Sequence, residues 1–307
     1  ALSAVSLVDS INVLLIQAFS ALAAGGAIVC AQYIGQRNYE KANMSARQVL
    51  FIITAISVVV SAVCLIFQKP LLRLIFGAVD ADVMRASEIY FFFTALSFPF
   101  IAAYDSAASI FRAQENTKGP MTISMISNIM NIGGNAVLIW VFHLGVAGAA
   151  ISTLVSRIFC AVVVLWQLRK DRQPVVVRDY LKIRPDWSMI GRILGLGIPS
   201  GIENSMFQLG KLAIQSTVST LGTAAIAAQA MTNILENLNG IAAIGVGVGL
   251  MTIVGQCLGA GRKDEAIYYI KKPCAIAEAV IIVSCLIVYV LVRPVTILGG
   301  MESTSAE

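Results

Sequence analysis

The chain has 307 residues, 58% of them hydrophobic and 13% charged, with a net charge of +5. That apolar fraction is well above what a soluble domain of this length needs to fill its core, so a polytopic membrane protein is expected. The basic residues lie in short segments between apolar runs with no aromatic interleaving, which excludes a nucleic-acid footprint and makes them reporters of topology instead.

A spanning helix needs about 20 mostly apolar residues. Charge-poor runs of that length predict eight spans, over residues 4–33, 49–67, 86–111, 121–142, 146–168, 190–220, 224–255 and 273–292. Alternate connections, 36–48, 112–120, 169–189 and 261–272, together with Arg192, hold sixteen of the twenty-two Lys and Arg residues. Basic loops stay on the cytoplasmic side, which orients every span. The segment 169–189 carries mixed charge, Pro174 and Pro185 and no long apolar run, so it reads as a hydrophilic cytoplasmic linker. It divides the chain into a first lobe of five spans, 1–168, and a partial second lobe of three, 190–307. The chain opens at Ala1 inside an apolar segment and stops soon after its last span, as a piece of a longer protein would.

An internal repeat supports that division. Gln32-Tyr33-Ile34-Gly35 and Gln256-Cys257-Leu258-Gly259 stand at the ends of two apolar runs, 224 positions apart. The same offset carries Gly25 onto Gly249, Lys69-Pro70 onto Arg293-Pro294, Asp9 onto Asn233 and Asn12 onto Glu236. Both copies run in the same direction through the membrane, so two parallel lobes related about the membrane normal are expected, with a working cavity at their seam.

Conventional catalytic chemistry finds no foothold. His143 is the only histidine, no GxSxG elbow or Walker loop occurs, and the six cysteines sit singly in apolar runs as small packing residues. Neither an enzyme nor a cofactor or metal site is expected. Gly245-Val246-Gly247-Val248-Gly249 lies inside an apolar span and reads as close helix packing or a kink.

An ionisable residue within a span faces protein or water and is a functional candidate by default. Glu203, Phe207 and Lys211 share one face of the sixth span at four-residue steps, with Gln208 between Glu203 and Lys211. Glu203 is either a binding acid or a structural one; Lys211 either holds it ionised or faces cargo. Glu236, with Asn233, Asn237 and Asn239, makes the seventh span polar along one side, as in a cavity wall. Asn128, Asn131 and Asn135 form a polar stripe on the fourth span, either interhelical glue or neutral oxygen ligands for a cation. Asp105 reads first as a solvated or Arg-paired acid. Arg157 reads as a structural cation snorkelling to the cytoplasm, and Glu278 as a near-surface partner of Lys271 and Lys272.

The stretch Gly145-Val146-Ala147-Gly148-Ala149-Ala150-Ile151-Ser152-Thr153-Leu154-Val155-Ser156-Arg157 resembles the sixth-span signature of the MATE multidrug and toxic-compound extrusion transporters. The segments beginning at Arg112-Ala113-Gln114-Glu115-Asn116, at Gly195-Leu196-Gly197-Ile198-Pro199 and at Ala31-Gln32-Tyr33-Ile34-Gly35 resemble further segments of that family in the expected order. On that likeness the chain is an all-α, two-lobed helical bundle holding spans two to nine of twelve, cut at both ends. The resemblance further implies that Asn131 and Asn135 match a cation-binding polar pair. A coupling acid of better-known members would fall near Gln208, while Glu203 stands one turn after Pro199. Glu115 takes a place where the family commonly has Gly.

The resemblance implies an antiporter of the plasma or bacterial inner membrane, monomeric and in contact with lipid. It would export amphipathic or cationic small molecules in exchange for Na⁺ or H⁺ by alternating access. The rival reading is a lipid-linked oligosaccharide flippase or polysaccharide exporter on the same scaffold. Such a protein should line its seam with basic residues, whereas the candidates here are mostly acids and amides.

Overall fold

In lipid every backbone polar group must be satisfied within its own segment, so long apolar runs become helices. A computed structural model describes residues 2–76, 81–170, 173–178, 184–219 and 223–298, and among them there is no strand. The elements in chain order are α1 (Leu2–Gly35), α2 (Tyr39–Ile66), α3 (Gln68–Phe76), α4 (Ala81–Leu96), α5 (Phe98–Ala113) and α6 (Lys118–Ala136). After α6 come a π-helical turn (Val137–Val141), α7 (Gly145–Leu168), α8 (Trp187–Ser219), α9 (Thr223–Gly259) and α10 (Lys263–Leu298). The described chain forms two units, Ala1–Ser205 and Met206–Glu307, whose boundary falls inside α8.

Among the described residues, five helices are long and apolar enough to cross a membrane alone: Ile11–Gly35, Tyr39–Ile66, Lys118–Val141, Gly145–Leu168 and Lys263–Val290. The expected third span is a broken one. Met84–Leu96 and Phe98–Ala113 meet at a 42° bend, where Pro99 enters the first turn of α5 and withholds a backbone N–H. Helices also occupy the expected sixth and seventh spans: α8 carries Glu203, Gln208 and Lys211, and the described part of α9 includes the apolar helix Ala243–Gly259.

In the first unit α1, α2, α4, α5 and α7 pack around Phe91, Phe98, Phe111, Ile53 and Ile110, all fully enclosed. Helix α6 lies at the edge, packed chiefly on α7. Small residues set the closest approaches. A Cβ on Gly25 would stand 2.6 Å from the Gly197 backbone nitrogen, and one on Gly197 would stand 2.9 Å from the Leu22 Cα. The repeat mate of Gly25 differs. A Cβ added to Gly249, Gly245 or Gly247 would meet nothing within 4 Å, so close packing at this glycine run is not found among the described residues. Cys30, Cys64 and Cys160 are buried free thiols; Cys257, Cys274 and Cys285 are less enclosed.

The repeat is visible in hydrogen bonds. After α1 the bonds are Gln36 N to Gln32 O, Arg37 N to Ile34 O and Asn38 N to Tyr33 O; after α9 they are Ala260 N to Gln256 O, Gly261 N to Leu258 O and Arg262 N to Cys257 O. Each pair is offset by 224 positions. Arg37 and Gly261 hold the same left-handed conformation, with φ 56° and 76°, the usual way to close a helix on its last carbonyls. Glu115 does likewise after α5, with φ 63° and the bonds Glu115 N to Arg112 O and Asn116 N to Phe111 O. This is the position that the family likeness reserves for glycine, and the backbone supplies the reason.

The described parts of the linker segment pack on the first unit, where Val175 and Val177 are fully buried. Val175 N donates to Gln114 Oε1 (3.1 Å) and Val176 N to Asn43 Oδ1 (2.8 Å). Gln48 grips the far end, donating to Arg184 O (2.7 Å) and accepting from Asp186 N (3.2 Å). The run Val175-Val176-Val177 is the sequence cue. It is too short to register as an apolar span.

Two sets of substitutions test this packing. Gly25→Ala should lower stability by about 1–3 kcal/mol through overpacking against backbone that cannot move aside, while Gly249→Ala should raise it by about 0.5–1 kcal/mol by stiffening a helix that has room. Glu115→Gly should stabilise by about 1 kcal/mol through relief of a left-handed side-chain clash. Thermal unfolding in detergent reads all three.

Candidate functional site

Among the described residues, the candidate polar side chains within the helices gather in three places, two in the first unit and one in the second. On α6 the asparagine stripe splits. Asn131 Nδ2 donates to Thr153 Oγ1 on α7 (3.3 Å), Asn135 Nδ2 donates to Asn131 Oδ1 (3.2 Å), and Ser152 Oγ donates to the Asn131 carbonyl (3.0 Å). Ser127 Oγ adds a bond to Ser156 O (3.0 Å). Asn131 therefore does bind α6 to α7, with Asn135 bonded behind it, yet Asn135 Oδ1 is buried with no partner, which leaves a neutral oxygen available. Asn128 is exposed and makes no such contact among the described residues.

The second cluster joins α1, α4 and α7. Tyr90 Oη donates to Asp9 Oδ1 (3.1 Å), and Asn12 Nδ2 donates to the same oxygen (3.4 Å). Arg157 does not snorkel to the cytoplasm as expected; its Nη1 donates to Ser97 Oγ at the α4–α5 break (2.7 Å). Arg157 is half-buried, and a partly desolvated guanidinium bonds the acceptor within its reach. Arg157 also lies within the electrostatic reach of Tyr90, Asp9 and Asp105. Asp105 is half-buried on α5 and interacts at longer range with Arg112 and Arg157, without an ion pair within 4.0 Å among the described residues.

In the second unit Lys211 on α8 meets Glu236 on α9, Nζ to Oε1 at 2.9 Å, with side-chain exposures of 36% and 50%. The Lys211 ammonium also stands 5.1 Å from the centre of the Phe207 ring. The partner that the sequence suggested for Lys211 was Glu203; the structure pairs it with Glu236. Glu203 is exposed, and neither Glu203 nor Gln208 makes a side-chain hydrogen bond among the described residues. Gln229 Nε2 donates to Asn233 Oδ1 (3.4 Å) and Asn237 is exposed, which continues the polar side of α9; the Asn239 side chain lies outside the described residues. Glu278 has no ion pair among those residues, and Lys272 instead sits over the Tyr268 ring at 4.7 Å.

From the sequence, Asp9 stands out only as the repeat mate of Asn233, and nothing singles out Tyr90 or Ser97. Asp9 falls just before the apolar window of its span, and Tyr90 and Ser97 are ordinary members of a Phe-rich run. Only the packing of α4 against α1 and α7 gives them meaning. No group of three or more His, Cys, Asp or Glu side chains fit for a metal occurs among the described residues.

These features define a multi-pass, all-α membrane protein with sparse polar clusters between its helices. The chain belongs to the MatE family, whose model matches residues 1–137 and 199–307. It is 27% identical over 273 residues to a probable multidrug resistance protein, YoeA, of Bacillus subtilis, covering 86% of this chain and 58% of that protein. It is 25% identical over 255 residues to a probable multidrug resistance protein, NorM, of Thermotoga maritima, covering 81% and 53%. The chain thus spans about half the length of these relatives. A MATE crystal structure in the bent conformation matches 97% of this chain and 66% of its own length at a TM-score of 0.90 and 19% identity, which shows the fold.

Ser97→Ala should cost about 1–2 kcal/mol, because it strips a half-buried cation of its hydrogen-bond acceptor. The loss should be read as a lowered melting temperature, and Ser97→Thr should restore most of it.

Proposed function

We propose that the protein is a secondary active exporter of amphipathic or cationic small molecules, driven by inward movement of Na⁺ or H⁺ and working by alternating access. It would lie in the plasma membrane with its basic loops in the cytoplasm. The observation that carries this reading is the Lys211–Glu236 pair, a carboxylate on a largely apolar helix that keeps half of its side-chain surface open while held by one exchangeable cation. A charge at such depth is expensive unless it serves a ligand path. A cation or cationic cargo that displaces Lys211 binds Glu236 in one state better than in another, and that difference in affinity shifts the conformational equilibrium. Glu203, exposed one turn after Pro199, offers a second carboxylate on the same helix as Lys211.

The relatives named as multidrug resistance proteins support this substrate class. The acids and amides among the candidate residues favour cationic cargo over the pyrophosphate of a lipid-linked sugar, which calls for a basic lining. Asn131, Asn135 and Thr153 supply oxygen atoms suited to Na⁺ but none that carries a proton.

The test is efflux of a cationic dye from proteoliposomes under an imposed Na⁺ or pH gradient. Wild-type efflux should follow one of the two gradients. Glu236→Gln should reduce gradient-driven efflux by roughly 5- to 150-fold, the range of a typical coupling energy; Glu203→Gln should reduce it less. Efflux indifferent to both gradients would defeat the proposal.

A further inference from the structure

The cluster on α1 and α4 has an incomplete set of partners. Asn12 is only 3% exposed, and its Oδ1 has no hydrogen-bond partner. A buried amide oxygen left unpaired is destabilising, and the defect lies one helical turn from a carboxylate. Asp9 takes both of its hydrogen bonds, from Tyr90 and from Asn12, on Oδ1. Among the described residues its Oδ2 has no donor, and Asp9 has no ion pair within 4.0 Å. The nearby cation, Arg157, is directed at Ser97 Oγ instead.

The Asn12–Asp9 contact is itself weak, at 3.4 Å near the outer limit of a hydrogen bond. Turning the Asn12 amide over exchanges Nδ2 for Oδ1 and sets a carbonyl oxygen beside the carboxylate. That turn is unfavourable with nothing between two acceptors, and favourable with a small positive ion between them. The donor set would then be a carboxylate oxygen, an amide carbonyl and the phenolic oxygen of Tyr90. All are hard oxygen ligands of the kind that bind alkali and alkaline-earth ions and not soft metals. One carboxylate supplies a single negative charge, which matches a monovalent ion.

We propose that Asp9, Asn12 and Tyr90 form a Na⁺ site within the first unit, separate from the Asn131–Asn135 pair on α6 and from the Lys211–Glu236 pair. Arg157 holds the α4 end of this site in place through Ser97. The proposal rests on the exporter reading only for its use in coupling, because ion binding is measured without transport.

The experiment is radiolabelled Na⁺ binding to the purified protein in detergent, alongside its melting temperature in NaCl against choline chloride. A ligand that binds only the folded state raises the melting temperature. Wild type should show saturable Na⁺ binding and a Na⁺-dependent rise in melting temperature. Asp9→Asn keeps the shape and removes the charge, and should weaken binding by about tenfold or more with loss of the rise. Tyr90→Phe should weaken it several-fold, and Asn12→Leu should do so at nearly constant volume. If Asp9→Asn does not fold, Tyr90→Phe and Asn12→Leu decide the matter. Wild type that binds no Na⁺, as an ordered water or a proton at Asp9 would give, overturns the proposal. So does Na⁺ binding that survives all the folded variants. Na⁺ binding lost on Asp9→Asn with no efflux in any gradient would uphold this site and sink the exporter reading instead.

Discussion

Inside a bilayer no water stands ready to replace a lost hydrogen bond, so a polar side chain packed between apolar helices is costly without a partner in the protein. In the first unit that demand centres on Arg157. Its guanidinium reaches the break between α4 and α5, where Ser97 accepts it and Ser97 Oγ in turn donates to Thr94 O at 2.6 Å. Pro99 opens the break, and the Arg157–Ser97 contact makes it tolerable. On the preceding helix Tyr90 donates to Asp9 of α1, and Arg157 lies within electrostatic reach of both.

Close helix approach obeys a related constraint. Lipid tails are as apolar as leucine, so helices associate through tight packing of small residues and through interhelical bonds instead of hydrophobic burial alone. Gly25 against Gly197, and Gly134 against Ser152 Oγ, are contacts of this kind. The open glycine face of α9 shows the converse, because the same residue type without a partner confers only room. Repeat symmetry is consequently strong in the turns, where local hydrogen bonds dictate geometry, and weaker along the helices, where neighbours do.

The three polar clusters differ in how their charge is held. The α6–α7 asparagines are neutral and mostly satisfied. The Asp9 group carries a carboxylate bonded to Tyr90 and Asn12, with no ion-pair partner among the described residues. Lys211 and Glu236 neutralise one another at partial exposure. The three clusters thus hold a neutral amide pair, an acid bonded only to neutral groups and a mutually neutralising ion pair.

Membrane class, the run of helices, the repeat offset and the family were all legible in the amino-acid order, because apolar length, charge sidedness and short motifs are properties of neighbouring residues. The acids within the spans were legible too, since an ionisable residue in an apolar run stands out by composition alone. Which groups meet is a matter of packing. Lys211 could turn toward Glu203 on its own helix or toward another helix, and only the placement of α9 selected Glu236. Asp9 lies far in the chain from Tyr90 and Ser97, and each is individually ordinary, so their assembly comes only with the packing of α4 against α1 and α7. Val175 and Val177 likewise became core only because Gln48, Asn43 and Gln114 held the surrounding backbone by hydrogen bonds. Local pattern dictates which elements form; partnership between distant side chains exists only after the helices have packed.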